Sequence, residues 1–197
     1  KISPATGTAF ALGDSGDTFT VPSGATIVNS GTATGFGGGG LLQIKQTVVT
    51  TETALAPTPG TFVDISGMSV SITPTLSTSK IFILVDISTG STGAYGTNFR
   101  LLRDSTDIYQ STDASGSQLN TTFSSIRGGI DSSNQFKVPM MFIDAPSSTS
   151  ATAYKVQWSG ETGSALKLNR SVSDADNNYT GRSASSITAI ELAVAVL

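Results

Sequence analysis

Apolar and polar residues alternate along most of this chain, and from Leu41 onward they do so with a period of two. Leu42, Ile44 and Val48 share one parity with Gln46, while Gln43, Lys45, Thr47 and Val49 take the other. Successive side chains of a strand point to opposite faces, so this alternation predicts a half-buried strand with its apolar parity inward. Ala56-Pro57-Thr58-Pro59-Gly60 breaks the pattern. Residues 62–65 predict a short strand and Gly67 a turn. Met68, Val70 and Ile72 then predict a further strand that ends at Pro74. Residues 80–87, KIFILVDI, are almost continuously apolar, which predicts a central strand covered on both faces.

The same reading continues to the end of the chain. Residues 90–96 form a Gly-rich loop, and 98–103 a strand. A turn over 103–107 returns through 108–110 as a hairpin. Residues 111–120, STDASGSQLN, make a polar loop before a weak strand at 121–126. Residues 135–143 make a strong strand whose Pro139 calls for an edge position or a bulge, because proline cannot donate to a ladder. Tyr154, Val156 and Trp158 share a parity that predicts a core face, and Leu166 and Leu168 follow the turn at 160–163. A long polar loop over 171–182 leads to a last strand over 185–196. About nine strands, no convincing helix and regular polar turns predict an all-β fold, an antiparallel β-sandwich of jelly-roll type.

Residues 1–40 differ. The run 13–40, GDSGDTFTVPSGATIVNSGTATGFGGGG, holds few large apolar groups: Phe19, Val21, Ile27, Val28 and Phe36. Ordering each residue costs about 1–2 kcal/mol of backbone entropy, and each buried side chain returns roughly 1.5–3 kcal/mol. Those five side chains are too few to fold the run alone, so it is expected to borrow surface from other copies of itself. Turn signals at Asp14–Asp17, Pro22–Gly24 and Asn29–Gly31 recur every seven or eight residues. That spacing fits an extended, intertwined β shaft of three chains over 1–40, ending in a Gly-rich hinge, with the sandwich over 41–197.

Composition narrows the chemistry. Only 13% of the residues are charged and the net charge is −3, so no basic surface exists for nucleic acid. The chain has no cysteine and no histidine. Disulfides, Cys/His zinc sites and mechanisms that need an imidazole base are therefore excluded. No apolar run is long enough for a membrane-spanning helix. The start, Lys1-Ile2-Ser3-Pro4, lacks an initiator Met, and an upstream anchor is expected.

The remaining candidates are few. Asp174 and Asp176 offer oxygen ligands at alternate positions, as calcium accepts; the alternative is a solvated loop. Asp104 with Asp107, and Asp174 with Asp176, are the nearest carboxylate pairs for glycan hydrolysis, but both fall in turns. No enzyme and no cofactor are expected. Tyr95, Asn177, Asn178, Tyr179 and Arg182 lie in two polar loops and are the candidates for contact with a surface receptor. Sequons at Asn120, Asn169 and Asn178 are expected by chance in so Ser/Thr-rich a chain.

The run 15–37, SGDTFTVPSGATIVNSGTATGFG, resembles shaft segments of fibre and appendage proteins from tailed bacteriophages, aquatic ones especially. Residues 41–74, 79–88, 99–106, 150–160 and 166–171 resemble the β-rich module that follows such shafts. The resemblance implies a homotrimeric virion protein on the particle surface, at tail or capsid, held to other virion proteins by its upstream part. Its sandwich would attach to a host-surface glycan or protein. A capsid head fibre or decoration with a structural role only is the alternative, and a carbohydrate-binding module or glycan depolymerase is a second. No membrane insertion is implied.

Overall fold

The computed structural model describes residues 16–18, 20–25, 40–56, 58–91, 96–124, 132–161, 165–178 and 180–193. It divides into two units, Lys1–Phe36 and Gly37–Leu197, each taken by itself. In the first, Ala25 N–H donates to the Pro22 carbonyl at 3.1 Å, closing the turn expected at Pro22–Gly24. Val21 is 36% exposed. Phe19, Ile27, Val28 and Phe36, the other candidates for a shaft, lie outside the described residues.

The second unit is all-β among its described residues. Its strands are β1 (Leu41–Val49), β2 (Thr53–Leu55), β3 (Val63–Ile72), β4 (Lys80–Ser91), β5 (Thr97–Arg103), β6 (Thr106–Ile108), β7 (Phe123–Ser124), β8 (Phe136–Asp144), β9 (Thr152–Gly160), β10 (Leu166–Leu168) and β11 (Ser185–Leu192). One sheet runs β1-β11-β4-β10-β2, with β8 on the other side of β4; the second runs β3-β9-β5-β6, with β7 also on β5. Every pairing is antiparallel. Setting aside the short β2, β7 and β10, the first strand pairs the last, the second the seventh, the third the sixth and the fourth the fifth. That nesting is a long hairpin rolled into two sheets, the jelly-roll arrangement.

The core lies between the sheets. Ile81, Ile83, Val85 and Ile87 of β4 face Phe99 and Leu101 of β5 and Tyr154, Val156 and Trp158 of β9, and all of them are buried. Burying each such side chain contributes about 1.5–3 kcal/mol. Trp158 is a core residue, as its parity predicts. At one end of the sandwich a polar group joins the sheets: Arg103 Nη1 donates to both oxygens of Asp144 at 2.9 Å, and the Tyr154 hydroxyl donates to Asp144 at 2.7 Å. Burial first, and the adjacent Asp144 carboxylate second, push the Tyr154 hydroxyl pKa far up, so it stays a proton donor.

Several local expectations change. Gly67 does not turn the chain; at φ 80° it sits in a bulge within β3, where the register to β9 shifts between Asp64 and Ser69. The loop expected from Gly90 begins later, because β4 runs to Ser91. At Gly90 an added Cβ would lie 2.5 Å from the Arg170 carbonyl oxygen, so glycine lets the chain after β10 press onto β4. β4 is fully covered on one face only: Lys80, Phe82 and Leu84 are half-buried and Asp86 is exposed. β1 is the reverse of its expectation. Its apolar parity, Leu42, Ile44 and Val48, is exposed, while Thr47 and Val49 turn inward. Pro139 sits on β8, which pairs only with β4 and forms an edge, as its missing N–H requires.

Candidate functional site

Strand direction sorts the connections into two groups. At one end lie the short links 73–79, 104–105 and 145–151. At the other lie 92–96 and the long ones: 50–62, the stretch from Tyr109 to Gln135, and 161–184. Long loops on a rigid sandwich are where binding residues concentrate.

A cleft of about 580 Å³ opens at this long-loop end. Its walls come from Pro59 and Gly60, from Gly96 and Asn98 at the start of β5, from residues 111–121, from Ser124 and from Gly160 and Glu161. The loop 109–122 holds its own shape. Ser111 N–H donates to the Thr121 carbonyl at 3.2 Å and Ala114 N–H to Asn120 Oδ1 at 3.1 Å. Ser115 N–H donates to Gln118 Oε1 at 3.0 Å, and the Ser111 hydroxyl donates to Asp113. Asn and Gln side chains here replace ladder bonds that a loop lacks. Thr122 docks the loop on β5: its N–H donates to the Phe99 carbonyl at 2.9 Å, and its hydroxyl accepts from Leu101 N–H at 2.9 Å.

The described lining offers Asn98, Ser111, Asp113, Ser117, Gln118, Thr121, Ser124 and Glu161 as hydrogen-bonding groups. It includes two carboxylates and no lysine or arginine. Such a wall repels phosphate and suits a neutral ligand rich in hydroxyl or amide groups. The sequence predicts a polar loop over 111–120. Its signal is present: seven side chains able to hydrogen-bond through O or N stand among STDASGSQLN, directly after the predicted hairpin over 98–110.

Of the residues singled out from sequence, Asn177, Asn178 and Arg182 do not line this cleft. Tyr95 and Tyr179 lie outside the described residues, although Gly96, next to Tyr95, lines the wall. Asn177 closes a turn by accepting Thr180 N–H at 3.0 Å, and Asn178 is exposed beside it. Arg182 Nη2 binds Asp174 at 2.9 Å, and Arg170 Nη1 lies 3.5 Å from the same carboxylate. Arg170 also donates to Glu52, and Arg182 Nη1 lies 3.9 Å from it. The hydrogen bond from Arg170, foremost, holds the Glu52 pKa down. Two guanidiniums and two carboxylates thus neutralise one another. The calcium expectation for Asp174 and Asp176 meets two arginines beside Asp174, while Asp176 is exposed. Among the described residues no group of three or more acidic, His or Cys side chains is placed to hold a metal.

The other carboxylate pair is also engaged. Asp107 accepts from Arg100 at 2.9 Å. Asp104, at φ 53°, accepts Ala153 N–H at 2.9 Å and returns its own N–H to the Ala153 carbonyl at 2.7 Å. The sequon Asn169 is buried, with its amide nitrogen donating to the carbonyls of Val49 and Thr51, both at 2.8 Å.

No family model matches the chain, and no curated protein does. Among solved structures, that of infectious bursal disease virus Gx strain is similar to 78% of this chain and 41% of that chain, at 12% identity and a TM-score of 0.33. This viral particle is a distant structural neighbour, and at that distance the likeness says nothing of what the chain does.

Proposed function

We propose that this chain is a non-enzymatic structural protein of a tailed-bacteriophage particle, a homotrimeric appendage whose long-loop end holds a host-surface glycan. The observation that carries the reading is the convergence of the long loops on one cleft whose described lining includes hydroxyl, amide and carboxylate groups. The resemblance of residues 15–37 to phage shafts supports the setting. The engagement of Asp107 and Asp174 by arginines supports binding over hydrolysis, because a general acid must be free to give up its proton. Each site would bind weakly, and three on one rigid trimer would raise avidity by about 10²–10⁴.

The test is an array of bacterial surface polysaccharides probed with the full chain, followed by solution binding of any hit. Binding is expected, with the glycan length unchanged after incubation. Gln118→Ala and Asn98→Ala are each expected to weaken it about tenfold, the loss of roughly one well-placed hydrogen bond. Binding that both variants leave untouched would move the site elsewhere. No binding to any polysaccharide, together with co-sedimentation with capsids, would favour the decoration reading.

A further inference from the structure

We infer that the outer face of the β1-β11-β4-β8 sheet is the surface through which copies of this chain associate. The inference rests on the homotrimer reading above and names its contact surface. The pairing register places Ile44, Ile190, Phe82 and Ile143 side by side across four strands. The next row on the same face is Gln46, Thr188, Leu84 and Met141. Val48 stands beyond it, and the bulge at the start of β1 adds Leu41 and Leu42. Ile44 is 54% exposed, Ile143 57% and Met141 62%.

A soluble monomer rarely leaves such a patch open. Isolated exposed apolar side chains are ordinary, but a contiguous band across a whole sheet marks an interface. Six exposed and four half-buried apolar side chains offer on the order of 700 Å², close to the roughly 800 Å² that each partner brings to a stable protein interface. The charges stand at the margin: Lys80 ends the face on one side, and Asp86 pairs with Lys137 at 2.9 Å on the other. An apolar centre with a polar rim is the anatomy of a protein contact. A second copy fits because an apolar sheet face turned toward a threefold axis packs against the same face of each neighbouring copy, one margin against the other, at about the 10 Å of stacked sheets. With so little net charge, two such faces do not repel. Of the two lysines at its margin, Lys137 is paired with Asp86, which leaves the rim short of the several clustered cations that an anionic lipid surface would favour.

The chain contains no cysteine, so a single introduced thiol reports on one position. Met141→Cys places it in the centre of this face, and Ser71→Cys places a control on an exposed position of β3 in the other sheet. With the full chain at micromolar concentration, the Met141→Cys thiol is expected to react with a maleimide at least about tenfold more slowly than the control, since reactivity follows access. Adding Ile143→Glu is expected to restore the rate, with circular dichroism checking the fold. Equal rates in a chain whose light-scattering mass is that of several copies would overturn this interface and leave the oligomer standing. Equal rates in a chain of single-copy mass would overturn both.

Discussion

On the outer face of the β3-β9-β5 sheet, polar side chains hold one another across three strands. Gln157 donates to Asp64 at 2.6 Å and accepts from Arg100 Nε at 2.8 Å, while Lys155 binds Asp64 and Arg100 binds Asp107, both at 2.9 Å. On the opposite sheet the outer positions are Ile44, Ile190, Phe82 and Ile143. The inner face of that second sheet completes the contrast. Directly behind Ile44 and Ile190, the neighbouring pair Gln43 and Glu191 turns inward, and Glu191 is buried. One part of the sandwich is therefore inside out. A strand's period of two ties the two anomalies together, since putting Ile190 outside puts Glu191 inside.

The largest effect is expected from removing that buried carboxylate. Glu191 accepts from Gln43 Nε2 at 2.6 Å, Thr75 N–H at 2.6 Å, the Ser79 hydroxyl at 2.7 Å and the Thr75 hydroxyl at 3.0 Å. These bonds bind the 73–79 link to the sheet. Glu191→Ala takes the acceptor from Thr75 and Ser79, while Gln43 keeps the Thr73 carbonyl, and is expected to cost roughly 2–4 kcal/mol, read from urea midpoints. Acid gives an independent reading. Burial raises the Glu191 pKa, but the bonds from Gln43, Ser79 and Thr75 outweigh it and hold the group below its ordinary 4.5. A carboxyl depressed in the folded state stabilises it above the unfolded value, and that stability is lost as pH falls through the folded one. Wild-type melting temperature should fall below about pH 4.5 more steeply than that of Glu191→Gln. Parallel slopes would show that the group does not carry the acid sensitivity.

This inversion also marks what was legible in the sequence. Alternation identified β1, the second half of β3 and β9 as strands, and it separated their faces. It assigned Tyr154, Val156 and Trp158 inward, where they lie. For β1 it put the wrong face in, because a period tells two faces apart without saying which one the fold buries. Hydrophobicity decides that only when the other face meets water, and Ile44 defeats that assumption. The bulge at Gly67 was hidden because one glycine serves a turn and a bulge alike. Glu191 gives no signal in the sequence, since its donors lie 112 to 148 residues away. The cleft is built from separate loops, so no local motif could announce it.

A smaller loss is expected at Asn169, where the two sheet faces meet the long-loop end. Its φ of 62° suits asparagine better than most residues, and it joins β1 to β11 through the Val49 carbonyl and the Ser185 hydroxyl, the latter donating at 2.6 Å. Asn169→Ala keeps the side chain small but loses these bonds, at about 1–3 kcal/mol. Asn169→Gly relieves the backbone as well, so it should be the milder variant in a thermal melt. If alanine and glycine cost the same, the backbone angle contributes nothing measurable.

The smallest effect belongs to the polar face, and its smallness is the point of the comparison. Arg100 holds Gln157 and Asp107 and lies 4.2 Å over the Phe62 ring, the best-connected cation on that sheet. Half in water, its ion pair is worth roughly 0.2–1 kcal/mol, and the ring contact adds about 0.5–1 kcal/mol. Arg100→Ala should therefore lower stability by about 1 kcal/mol, and salt should narrow the gap to wild type. The number of copies in solution should not change. A shift in mass in this variant would mean that the polar sheet also carries contacts between copies. An unchanged mass would leave the ion pairs as a means of keeping that face wet and separate, with the isoleucines opposite as the proposed contacts.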